Sequence, residues 1–107
     1  MEAYERLKNL QDRGLNGRMI ADYLGIHEST VSRMLRNPER ARRFFSRHPE
    51  LLEKLKELEG EARRVQLRWH LALTEAAVRR RLPTLTPETA HELALELLYE
   101  KRPDLFS

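Results

Sequence analysis

Eight apolar residues, Leu51, Leu55, Leu58, Ala62, Val65, Trp69, Ala72 and Ala76, follow one another at spacings of 4, 3, 4, 3, 4, 3 and 4. That rhythm is the seam of an α-helix; a strand places alternate residues on a face and cannot use it. One helix from Pro49 to about Arg81 therefore claims nearly a third of a 107-residue chain. Proline is at home in the first turn, because that turn has no use for its missing N–H, and Pro83 cannot continue the helix. Gly60 is the weak point inside it, at about 1 kcal/mol relative to alanine. From Leu67 onward a second apolar stripe, Leu67, Leu71, Val78 and Leu82, faces another way, so the helix needs two neighbours.

The rest of the chain reads as shorter helices. Tyr4, Leu7 and Leu10 recur at helical spacing and Gly14 stops them, giving a first helix over roughly 2–13. Asn16 caps a second, Gly17 to Leu24, and Gly25 can take the left-handed conformation that reverses the chain. His27 caps a third, Glu28 to Arg36. Asn37-Pro38 starts a fourth, ending near Arg47. Thr86-Pro87 starts the last, to about Lys101, with Ala90, Leu93, Ala94, Leu97 and Leu98 on one face. This last helix is expected to fold back on the second stripe of the long one. With only 4 Gly and 5 Pro, and no strand pattern, the fold class is all-α.

The overall charge is +3, but its distribution is uneven. Residues 1–47 hold ten basic and six acidic side chains, and residues 48–107 ten and eleven. Arg33, Arg36, Arg40, Arg42, Arg43 and Arg47 crowd into fifteen residues with Glu39 alone opposing them. The expected division is a basic domain over 1–47 and a helical oligomerisation region over 48–107. No run of eighteen apolar residues exists, so no transmembrane helix is expected. The first residues lack the basic and apolar regions of a secretory signal, so a cytoplasmic protein, of a bacterium or of a phage in its host, is expected. Zero cysteines exclude disulfides and thiolate metal sites.

The segment GRMIADYLGIHESTVSRMLRN, Gly17 to Asn37, meets the needs of two helices crossing closely through a tight turn. Ala21 is small where they approach, Gly25 makes the turn, Ile26 plugs the interior beside it, and Ile20, Leu24, Val31 and Met34 fill the shared core. The segment resembles the helix-turn-helix of bacterial and phage DNA-binding proteins, in which Ala21, Gly25 and Val31 fit the spacing of four and six. HESTVSR, His27 to Arg33, is similar to the recognition region of the alternative nitrogen-regulation sigma factor, and TVSR to regulators of the lactose-repressor type. The resemblance covers 21 of the 107 residues. It implies that helix 28–36 enters the major groove, with Glu28, Ser29 and Arg33 at base edges. It also implies phosphate contacts from Asn16, Arg18, Thr30, Arg36, Arg40 and Arg43.

The expected function is sequence-specific binding of double-stranded DNA by an oligomeric transcriptional regulator. The oligomer, a dimer before any higher order, is expected to pair through the seam of Leu51, Leu55, Leu58, Ala62, Val65, Trp69, Ala72 and Ala76. The alternative for that seam is packing inside one chain. Two other functions fit the plan of a reading head joined to long helices: a DNA-recognition subunit like the small terminase of tailed phages, and an adaptor docking on polymerase or a replication factor. Glu88 and His91 stand at the i, i+3 spacing of carboxylate-bridged metal sites, but one such pair is not a site. No phosphate loop, nucleophile elbow or paired catalytic carboxylates are present. No enzyme activity, cofactor, metal or small-molecule ligand is expected.

Overall fold

The computed structural model describes residues 2–107. Six helices follow in order: α1 Ala3–Asp12, α2 Gly17–Leu24, α3 Glu28–Arg36, α4 Pro38–Arg47, α5 Pro49–Arg81 and α6 Pro87–Lys101. A short 3₁₀ turn, Pro103–Phe106, closes the chain, and no strand occurs among the described residues. The boundaries have local causes. Asn16 Oδ1 accepts the Met19 N–H at 2.9 Å, Asn37 Oδ1 accepts those of Glu39 and Arg40, and Thr86 Oγ1 accepts that of Thr89. Each cap contributes about 1 kcal/mol by giving a partner to an N–H the helix cannot satisfy. Gly25 ends α2 at φ 71°, and the Ile26 N–H then reaches back to the Ala21 carbonyl at 3.0 Å. That bond is the left-handed closure that glycine permits.

Two compact units divide the chain, one ending at Ala62 and the other Arg63–Ser107. The division falls inside α5, whereas the change in charge had placed it between 47 and 48. Burial explains the difference. The first turns of α5 bring Leu55 and Leu58, both 0% exposed, into a core with Leu7, Leu10, Ile20, Val31 and Met34. Each such side chain contributes roughly 1.5–3 kcal/mol by leaving water, more than any one cap. Polar contacts hold the same turns on α1. Arg6 pairs with the Glu59 carboxylate at 2.6 Å, and Arg13 donates to the Glu59 carbonyl at 3.0 Å.

In the second unit the later part of α5 meets α6. Val78, Ala90 and Ala94 form a buried cluster with Leu71, Leu85 and Leu93 packed on it. His91 Nδ1 bonds the Glu75 carboxylate between the same two helices. Two residues depart from the expected faces. Leu82, placed on the second stripe of α5, is 46% exposed, and Leu97, placed on the inner face of α6, is 37% exposed. The small Ala90 and Ala94 occupy the inner face of α6, and Leu97 falls at its edge. The closing 3₁₀ turn buries Leu105 and sets Phe106 edge-on to Tyr99, with ring centroids 5.4 Å apart.

Candidate functional site

Helices α2 and α3 pack on each other across the three residues Gly25, Ile26 and His27. The approach is close at the start of α2, where a Cβ on Gly17 would lie 3.7 Å from Val31 Cγ1 and 3.9 Å from Ser32 Oγ. Val31 and Met34 turn inward, which leaves Glu28, Arg33 and Arg36 exposed and Ser29 and Thr30 half-buried. The start of α3 is held by His27, whose Nδ1 accepts the Ser29 N–H at 3.1 Å. Accepting that bond requires an unprotonated Nδ1. Ser29 Oγ lies 2.8 Å from the same nitrogen, so ring and hydroxyl meet at the start of α3.

Between α3 and α4 lies a groove of about 290 Å³, lined by Thr30, Arg33, Met34, Asn37, Arg40, Arg43, Phe44 and Arg47. Four guanidinium side chains share it and no carboxylate lines it. Helical spacing does this on α4, since Arg40, Arg43 and Arg47 stand at i, i+3 and i+7 on one face. Met34 and Phe44 form its apolar part, and the Phe44 ring is braced by Phe45 and His48, with centroids 5.1 and 4.7 Å away. Glu39, the one acid within this arginine-rich stretch, does not line the groove but reaches one of its arginines. It receives the Arg42 Nε–H at 3.1 Å and lies 3.8 Å from Arg43. The hydrogen bond from Arg42 holds the Glu39 carboxyl below its ordinary range. The groove thus keeps several like charges together, an arrangement relieved by an anion.

The groove brings together Thr30, Arg33, Arg40 and Arg43 of the residues singled out from sequence. It leaves out Arg36 and Arg18, exposed elsewhere on α3 and α2, as well as Asn16, whose side-chain oxygen is committed to its cap. Arg47, Asn37 and Phe44 were not among the expected site residues. The i, i+7 relation of Arg47 to Arg40 was the signal that could have found the first.

The heptad residues meet a different fate. Leu55, Leu58 and Ala62 are 0, 0 and 1% exposed within the single chain, and Val65 is 9% exposed. Leu55, Leu58 and Ala62 therefore have almost no exposed surface left for a second chain to cover. Leu51 and Trp69 are half-buried, and Ala72 and Ala76 are exposed. Spacing of 4 and 3 specifies a helix with one apolar stripe and is silent on which chain covers it. No protein-family model matches the chain, and no curated protein or solved structure matches it.

Proposed function

We propose that the chain binds double-stranded DNA sequence-specifically through a helix-turn-helix formed by α2 and α3, and acts as a transcriptional regulator. The observation that carries this reading is the arginine groove, adjoining the exposed face of α3 and lined by no acid. A helix fits the major groove of B-DNA, and short polar residues at its start can approach base edges. Ser29 accepts from an exocyclic amine, Glu28 accepts from cytosine, and Arg33 donates two bonds to guanine. Glu28 also repels phosphate, which disfavours indiscriminate binding. Arg40, Arg43 and Arg47 follow one strand: the step of seven positions from first to last covers about 10 Å of helix, long enough for each guanidinium to take a different phosphate. Those contacts fix register and supply affinity but carry no sequence information.

Selection from a random duplex pool, followed by affinity measurement on the enriched site, tests the reading. Enrichment of a defined sequence is expected, and Arg33→Ala is expected to cost roughly 1–3 kcal/mol there and to relax preference at one position. A pool that stays random would contradict sequence reading. Equal weakening on all sequences would move Arg33 to the phosphate contacts.

A further inference from the structure

We propose that the second unit is a dimerisation surface, in which a groove between α5 and α6 receives the same groove of a second copy. Five large hydrophobic residues are exposed among those described: Leu73 at 57%, Leu82 at 46%, Leu97 at 37%, Tyr99 at 58% and Phe106 at 36%. All five lie beyond Ala62, so the apolar surface is confined to one unit. Two of them, Leu73 and Leu97, line one groove of about 390 Å³ whose walls also include Ala77, Arg81 and Lys101. A concave apolar site with small Ala77 in its wall accepts a leucine from outside.

Charge identifies the occupant. Arg81 and Lys101 put two cations on the groove. Glu100 and Glu96 are exposed on α6 beside Leu97, on the side away from the buried Ala94, as helical spacing requires. None of these four has an ion pair among the described residues. A partner that suits the patch must bring an apolar knob, two acids for the cations and two cations for the acids. The patch itself meets all three needs. Self-complementarity of this kind is the requirement of a two-fold interface, where the same surface serves both sides. A nucleic acid could answer Arg81 and Lys101 but would be repelled by Glu96 and Glu100. The inference does not rest on the DNA reading, and it replaces the closed seam of Leu55 and Leu58 with a surface that is open.

Sedimentation equilibrium over a range of protein concentrations tests it on the full chain, with circular dichroism as the check that variants fold. The wild type is expected at twice 12.7 kDa. Leu73→Glu and Leu97→Glu are each expected to keep full helicity and to weaken the dimer about tenfold or more. Reversing Arg81 and Lys101 to Glu is expected to weaken it about twofold to fivefold for each pair lost, and reversing Glu96 and Glu100 to Lys as well to restore it. Restoration is the outcome a merely structural role would not give. A wild type that stays monomeric at the highest concentration, or a dimer indifferent to both leucine changes, overturns the proposal.

Discussion

The two units solve burial in opposite ways. The first hides large side chains completely: Leu7, Leu10, Leu15, Ile20, Val31, Met34, Leu55 and Leu58 are all 0% exposed. Its surface is left to charge, and arginines gather where α3 meets α4. The second covers Val78 with Ala90 and Ala94 and leaves five large hydrophobics in water. A unit with a closed core can devote its surface to recognition, whereas one with a small core and an open apolar face gains by acquiring a partner. The proposed reading head rests on the charge gathered on the first unit, and the proposed assembly surface on the apolar face left open on the second.

Opening the first core has the largest expected effect. Leu58→Ala is expected to cost about 2–5 kcal/mol in a denaturant melt, because a filled site leaves a cavity. A loss well below that range would mean the first turns of α5 are dispensable and the core closes without them. Two glycines then probe backbone instead of packing, since a Cβ on either meets nothing within 4 Å. At Gly25, φ is +71°, so Gly25→Ala is expected to cost about 1–2 kcal/mol through strain in the turn alone. Gly60 is helical, close to the point where the units divide, and Gly60→Ala is expected to stabilise by about 0.8–1 kcal/mol. Opposite signs in thermal melts would show that identical space has different consequences in a turn and a helix. A destabilising Gly60→Ala would show that α5 needs its weak point.

The smallest expected effect is a pH dependence confined to the second unit. Burial, then the charge of Arg102, lowers the His70 pKa below its ordinary value near 6.5. The folded state therefore favours neutral His70, and the unfolded chain takes up its proton first as pH falls. Stability from this group is complete above the ordinary value and declines as pH drops through it toward the depressed one. Melts of the wild type against His70→Gln should differ in slope across that window, with the wild type losing more on acidification. Equal slopes would leave His70 without a part in the balance.

Much of the fold was legible because its punctuation is local. Asn16, Gly25, His27, Asn37 and Thr86 each act within three residues of themselves, and the helices they bound are the ones observed. What covers a stripe is not local. Leu55 and Leu58 carry the same spacing whether they meet α1 or another chain, and only burial separates the two. Leu97 shows the limit on α6, where leucines stand on several sides and no periodicity selects the inner one. The candidate site was legible in part for a similar reason. Thr30, Arg33, Arg40 and Arg43 could be picked out singly, but their convergence depends on how α4 lies against α3. Phe44 packs on Phe45 and His48, its neighbours on α4 and its cap, yet lines the charged groove as well.

The role proposed for the arginine groove is to hold a DNA strand while α3 reads bases. Salt dependence of duplex affinity tests it most directly, comparing the wild type with the triple variant Arg40→Ala, Arg43→Ala, Arg47→Ala. Each lost phosphate contact should reduce the slope of log affinity against log salt by about 0.9, so a reduction near 2.7 is expected, with sequence preference unchanged. An unchanged slope, or no duplex binding by the wild type at low salt, would contradict it.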